Sequence, residues 1–334
     1  NDREIPIMFR KTLLAASLVL AGTTGAQAAT MEDVERSFYP YKDGVPTVDG
    51  LTPGTVLNAG NVDRFKDALD PALYQHVKDG WVEITVGETT SFDLHPNYVQ
   101  ATRDSLGKVS LGDSLGQING FVAGRPFPEE PSMDDPRAGE KLAWNYRYGY
   151  NWGDNAAIYP FYWRYRDMDS GKVERTIKFN FHFLNYMHRV NQPPVPEFED
   201  NPSELFRAIY VQVLEPFDVK NTQLLIHRHD DDQVADNTWL YLGFQRRVRR
   251  LASGQITDSF LGSDLMIEDF EGYNGRLSDM NWSYKGTENI LLPFYNHNDM
   301  DLATDLEDPE GYQFVDFGGK GGCFPEITWQ LRKV

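Results

Sequence analysis

Between residues 173 and 183 the chain alternates without a break. Val173, Arg175, Ile177, Phe179, Phe181 and Phe183 fall on one side, and Glu174, Thr176, Lys178, Asn180 and His182 on the other. Successive side chains of a strand point to opposite faces, so a period of two over this length specifies a half-buried β-strand. At ~3.3 Å per residue it is about 35 Å long and needs neighbours of similar length. Asp169-Ser170-Gly171 supplies a turn before it, and residues 157–166 supply a hairpin partner with Tyr159, Phe161, Trp163 and Tyr165 on one face. Residues 205–214 are apolar on both sides: Leu205, Ile209, Val211 and Val213 against Phe206, Ala208, Tyr210 and Leu214. Such a strand expects apolar cover on each face, a helix on one and a ligand cavity or second core layer on the other. The Pro-rich stretch 193–202 joins the two as a long loop.

More strands follow. Residues 222–229 and 238–242 form a hairpin around Asp230-Asp231-Asp232, and residues 239–242 and 246–251 form another with its turn at 243–245. Residues 281–284, 289–294 and 327–334 read as further strands. The helical signals lie earlier. Val62, Phe65 and Leu69 recur at helical spacing, Asp70-Pro71 is an N-cap followed by Pro at the first helical position, and Leu73 and Val77 continue the apolar face to Gly80. A strand is expected over 81–86 and a helix from His95-Pro96 to Gly107. Residues 40–54 are punctuated by Pro40, Gly44, Pro46, Gly50, Pro53 and Gly54, so the segment after residue 29 reads as a loop. Helices first and strands after them give an α+β class.

Candidate chemistry is thin. The 334 residues carry a formal charge of −18, which argues against a nucleic-acid partner. The only dense basic run, residues 246–250, reads first as a solvated strand face. Gly112-Asp113-Ser114-Leu115-Gly116 matches the nucleophile-elbow pattern, making Ser114 the residue of a less favoured Ser-hydrolase reading. Its preceding residues make a poor buried strand, and none of the seven His residues has an Asp three positions before it. His227 and His229 share a strand face near Asp230–232, yet two imidazoles with loop carboxylates fall short of a ligand set. Glu268 and Asp269 are adjacent and do not face one another as glycosidase carboxylates do. Gly318-Gly319-Lys320-Gly321-Gly322 lacks the spacing and hydroxyl of a phosphate loop. No catalytic residue, metal or cofactor is expected. A single cysteine, Cys323, allows no intramolecular disulfide.

Residues 1–7 precede Met8 and read as upstream sequence. Phe9-Arg10-Lys11, the apolar run 13–21 and Ala26-Gln27-Ala28 read as a cleavable secretory signal, with apolar length too short to span a bilayer. Position 23 is Thr where a lipoprotein signal needs Cys. The expectation is a secreted, unlipidated chain beginning near Ala29, with no transmembrane segment.

Several motifs point to a family. They are Trp239-Leu240-Tyr241-Leu242, Arg246-Arg247-Val248-Arg249-Arg250, Phe260-Leu261-Gly262-Ser263-Asp264 and Glu268-Asp269, with Gly124-Arg125-Pro126-Phe127-Pro128 and Asp135 to Asn145. Ile267 to Asn274 and Leu292-Pro293-Phe294-Tyr295-Asn296 extend them. The chain resembles outer-membrane lipoprotein-sorting proteins related to LolA and LolB, and most of all domain-of-unknown-function family 1329. Gly243 stands where that family usually has proline, which would loosen the turn. The resemblance implies a curved antiparallel sheet, an incomplete β-barrel, wrapped around N-terminal helices. It implies one domain over residues 29–334, cut short at its C-terminal end, since members run on further. It also implies a periplasmic carrier for a lipid, acyl chain or lipoprotein, serving an inner-membrane exporter of the resistance-nodulation-division type. The alternative is a structural or interaction protein of the envelope without a ligand. The residues expected to line a ligand site are Trp163, Phe179, Phe181, Phe183, Tyr210, Trp239 and Tyr241, with Arg247 or Arg249 at its mouth for an anionic head group.

Overall fold

The computed structural model describes residues 29–167, 169–252, 257–294, 302–304, 313–315 and 328–334. The proposed leader and the glycine-rich run at 318–322 lie outside them. The fold is α+β, with helices and a large curved antiparallel sheet that does not close into a barrel.

The sheet is a meander of six strands: β5 (Asn155–Arg166), β6 (Val173–Asn185), β7 (Leu205–Glu215), β8 (Gln223–His229), β9 (Asn237–Leu242) and β10 (Arg247–Leu251). Each pairs antiparallel with its neighbour in sequence. The alternation that opened the sequence now has a cause. Ile177, Phe179, Phe181 and Phe183 of β6 are buried while Lys178, Asn180, His182 and Leu184 are half-buried. Four short strands precede the sheet, β1 (Val56–Leu57) with β2 (Ile84–Thr85), and β3 (Ser110–Leu111) with β4 (Ile118–Asn119). After it, β11 (Asn289–Phe294) pairs with β14 (Thr328–Lys333), and β12 (Leu302–Thr304) with β13 (Gln313–Val315).

The helices are α1 (Met31–Phe38), α2 (Pro71–Lys78), α3 (Pro96–Ser105) and α4 (Ala138–Arg147), with a 3₁₀ turn over Val62–Ala68. Asp70 caps α2 by accepting from the Ala72 and Leu73 amides, and His95 caps α3 from Asn97. The α2 unit packs with β1, β2, β11 and β14 around Leu57, Val62, Val77, Ile84, Leu291 and Leu331. α1 and α3 share a second cluster around Val34, Tyr98 and Val99. α4 reaches the main sheet through Trp144 and Tyr148, which pack on Phe206 of β7. The apolar face of the sheet is covered instead by Phe260, Ile267 and Phe270, which follow the sheet in sequence. Among the described residues no helix is long and apolar enough to cross a membrane.

Five local expectations change. The loop expected after residue 29 begins with α1, because Thr30 and Asp33 cap each other and Val34 and Phe38 recur at helical spacing and are buried. α4 forms where no helical signal was singled out. The strand expected over 81–86 is only Ile84–Thr85. Residues 281–284 form no strand, and Trp282 and Ser283 run against Gly139 of α4, where a Cβ would come within 2.7 Å of the Ser283 amide nitrogen. Tyr159 does not share the face of Phe161, Trp163 and Tyr165. A register shift between Ile158 and Phe161 puts Ile158 inward and leaves Tyr159 71% exposed.

Candidate functional site

Strand register assigns every side chain of the sheet to one of two faces. One face is apolar across its centre. A row runs Ile158, Phe181, Val211, Leu224, Leu240, Arg249, and the next runs Ala156, Phe183, Ile209, Ile226, Thr238, Leu251. Aromatic rings fill the space above it. Trp163 lies 5.1 Å from Phe179 and 5.9 Å from Phe260, and Phe270 lies 5.8 Å from both Phe181 and Phe260. Trp152 stacks on Phe183 at 5.0 Å. The edge-to-face geometry of most of these pairs matches the ring quadrupoles. Ile158, Phe161, Trp163 and Tyr165 on β5 remain half-buried at the margin of this cluster.

The other face is mixed. Its central row runs Ala157, His182, Tyr210, Leu225, Trp239, Arg250, flanked by Asn180, Gln212, Gln223, Tyr241 and Val248. From His182 to Trp239 these side chains are half-buried. His182 lies 5.8 Å from Tyr210, His227 lies 5.0 Å from Trp239, and Tyr210 donates to Gln223 at 2.9 Å. Burial holds both imidazoles below the usual histidine value, with His229 adding to the effect at His227.

The nine residues expected to line one site are therefore divided. Trp163, Phe179, Phe181 and Phe183 are together on the apolar face, with Arg247 and Arg249 at its β10 edge. Tyr210, Trp239 and Tyr241 are on the opposite face. The two-sided apolarity of β7 that joined them in sequence is real only at its start, where Phe206 meets α4. Beyond it, Tyr210, Gln212 and Leu214 are half-buried.

The apolar face ends in an ionic layer that the sequence did not reveal. Arg207 of β7 pairs with Glu271 at 3.2 Å and donates to Asn185 at 2.8 Å. Arg228 of β8 pairs with Asp236 at 2.8 Å and donates to Asn274. Arg147 of α4 pairs with Asp232, which also accepts from the Leu277 and Ser278 amides at 3.0 and 2.7 Å. Burial works against the charge of Arg228, but Asp236, Asp232 and Glu271 outweigh it, while burial pulls Arg207 below its usual value despite Glu271. Next to this layer an open cleft of about 680 Å³ is lined by Trp144, Met187 and Phe198 and by Glu197, Glu199, Glu204 and Asp230–232. Burial alone would raise Asp230, but His188 at 2.6 Å, Tyr148 at 3.1 Å and Arg147 hold it below the usual carboxylate value.

The weaker chemical motifs resolve into structural roles. Ser114 is exposed in the turn between β3 and β4, not between a strand and a helix, and its amide donates to Gln117. His229 bonds the Ser203 carbonyl and Asn237, and Asp230 and Asp232 are taken up as described. Among the described residues no group of three or more His, Cys, Asp or Glu is placed to hold a metal. Asp269 accepts from the Met266 amide. The recurring motifs build framework too. Arg137 and Glu140 pair at 2.7 Å while Glu140 accepts from the Gly116 amide, Asn145 bonds both backbone groups of Phe127, and Arg125 stacks 4.3 Å from the Phe38 ring. Gly243, where a family proline was expected, allows close approach: a Cβ there would lie 2.5 Å from the Lys220 carbonyl oxygen.

Comparison with known proteins gives relatives of undefined activity. An uncharacterized protein of Pseudomonas aeruginosa is 25% identical over 296 residues, 84% of this chain, and the chain spans 58% of that relative's length. A crystal structure of a DUF1329 family protein from Desulfovibrio piger is 22% identical, aligning over 47% of this chain and 57% of that one with a TM-score of 0.35. A putative outer membrane lipoprotein-sorting protein domain from Vibrio parahaemolyticus is 20% identical, over 46% and 51%, with a TM-score of 0.26. The sequence pattern of the family described as "Protein of unknown function (DUF1329)" matches residues 56–334, and the chain belongs to that family.

Proposed function

We propose that the protein is a carrier or binding protein for a hydrophobic ligand of the cell envelope, a lipid, acyl chain or lipoprotein. The observation that carries this is the apolar face. It crosses all six strands, yet its cover among the described residues is Trp152 at one end and a short stretch after the sheet, with only a single 3₁₀ turn over Ile267–Asp269, presenting Phe260, Ile267 and Phe270. A ligand chain that takes the place of these side chains meets Phe161 and Trp163 on one side and Leu240 on the other. In this reading Arg249, at the β10 end of that row, pairs with a phosphate or carboxylate head group. Periplasmic residence and service to an exporter of the resistance-nodulation-division type belong to the same proposal. Their support is the leader-like sequence and the family resemblance.

Each buried CH₂ contributes about 0.8 kcal/mol, so affinity for fatty acids or lysophospholipids rises about fourfold per carbon until the face is filled. Native mass spectrometry of protein purified from the periplasm, then titration with chains of increasing length, measures this. Phe161→Asp, at the half-buried margin, abolishes binding while circular dichroism reports an intact fold. Affinity that is flat with chain length ends the proposal.

A second reading is a structural envelope protein without a ligand. It is favoured by the closure of the face by the protein's own rings, with Phe181 8%, Phe260 7% and Phe270 7% exposed. Phe260→Ala separates the two. A carrier with a loosened cover binds acyl chains more tightly, whereas a structural protein only loses stability.

A further inference from the structure

Three turns close the meander at one end: the one between β5 and β6, residues 215–222 and residues 243–246. They are neighbours in space. Arg175 at the start of β6 pairs with Asp218 at 2.6 Å, and Gly243 packs against the Lys220 carbonyl. Two large apolar side chains stand on these turns in water. Phe217 is 94% exposed and Phe244 is 71% exposed, and Val248 beside them is 64% exposed. Val219, from the same turn as Phe217, packs into the sheet core, so the turn has apolar cover within reach that Phe217 does not use.

The charge around them opposes that of the whole molecule. Residues 164–178, 215–222 and 243–251 hold ten Lys and Arg against five Asp and Glu, in a chain with 32 against 50. Arg246, Arg247, Arg249 and Arg250 are all exposed. Arg249 donates to Gln245 and Arg250 to Asn237, and none of the four pairs with a carboxylate among the described residues. The opposite end of the sheet carries the cleft with Glu197, Glu199, Glu204 and Asp230–232.

We propose that the turn end docks on an anionic phospholipid surface, with Phe217 and Phe244 entering the interfacial layer and the arginines of β10 and its turn pairing with lipid phosphates. Aromatic rings favour the level of the head groups. Guanidinium matches phosphate in two-point hydrogen bonding. A surface of net negative potential attracts each nearby arginine and repels the acidic remainder, so the protein stands end-on with its acidic cleft away from the lipid. An acidic protein partner would match the arginines but gives no role to two exposed rings on adjacent turns. The proposal goes beyond the carrier reading and shares only Arg249 with it, and docking needs nothing bound on the apolar face.

Sedimentation of the whole chain with vesicles tests it, comparing phosphatidylcholine alone with phosphatidylcholine mixed with phosphatidylglycerol. Binding is expected to the mixed vesicles only and to weaken with salt. Each arginine contributes about fivefold, so R246Q/R247Q/R249Q/R250Q lowers partitioning by about a hundredfold or more. F217S/F244S lowers it by about tenfold or more at unchanged charge. E197K/E199K, at the far end, does not weaken it. All these positions are exposed, and circular dichroism with thermal melting checks each fold. A bimane label on F244C in a C323S background shifts to the blue on mixed vesicles. Equal binding to both vesicle types, or retention by the four-glutamine variant, overturns the proposal. So does binding indifferent to F217S/F244S with arginine-dependent capture of polyglutamate, which would assign the patch to an acidic protein.

Discussion

The two faces of the six-stranded sheet are built from the same strands and behave differently. On one, Phe179, Phe181, Val211 and Leu224 are closed over by rings from beyond the sheet. On the other, His182, Tyr210, Leu225 and Trp239 remain half-buried in one cross-strand row. The difference is not apolarity alone, since Leu225 and Trp239 are as apolar as many core residues. It is whether a later part of the chain supplies cover. Residues 257–271 bring Phe260, Ile267 and Phe270 to the first face. On the second, among the described residues, α4 covers only the Phe206 end. A face with cover contributes to stability through burial and packing. A half-open face contributes less and keeps its titratable groups within reach of solvent.

The largest effect that would break this contrast is in the core. Phe179→Ala removes a ring 1% exposed and 4.9 Å from Phe161, and should destabilise by about 3–5 kcal/mol. Tyr210→Ala, one strand away on the other face, should cost about 1–2 kcal/mol, since its ring is only partly removed from water. Urea denaturation of both variants measures the ratio, and equal losses would mean that the second face is covered as well as the first.

A smaller effect concerns pH. His182 and His227 on the half-open face have folded values lowered by burial, so the unfolded chain takes up protons more readily. Their contribution is fully present above the unfolded value of about 6.5 and is lost as pH falls from there through the folded values. H182Q/H227Q should therefore flatten the dependence of denaturation midpoint on pH just below about 6.5, without changing it near pH 8. A slope unchanged by the double substitution would place the burden on other groups, Asp230 among them, whose stabilising effect is lost at lower pH. The smallest effect is at the edge. Val248→Thr, on an exposed side chain, should change stability by less than about 0.5 kcal/mol. A larger loss would show that β10 is covered in solution.

Much of this was legible from local pattern. The long strand, its hairpin partner, the N-cap at Asp70, the helix start at His95-Pro96 and the turn at 243–245 follow from spacing and residue type, because each depends on neighbours a few positions away. α1 was also legible in principle, from Thr30, Asp33, Val34 and Phe38. The division of the nine expected site residues was not. Alternation says that Phe181 and His182 point apart, but it cannot say that Tyr210 joins His182 and not Phe181. Register between strands decides that, just as a single extra residue near Tyr159 decides which β5 side chains face Phe181. The ionic layer was hidden for the same reason. Arg147, Arg207, Arg228, Asp232, Asp236 and Glu271 are far apart in sequence and carry no local spacing.

What the sequence by itself determined is the class of the protein: α+β, a long antiparallel meander and the family motifs. Periodicity and composition are enough for that, since they report which side chains leave water. Only the tertiary structure decided which face is closed and by which rings. It also decided that Arg246 and Arg247 sit on the same end as Phe217 and Phe244, with Arg249 and Arg250 further along β10, while the acidic cleft sits on the other. The physical reason is that cover, register and the meeting of turns are long-range properties. They are fixed when distant segments pack, and no window of sequence contains both partners.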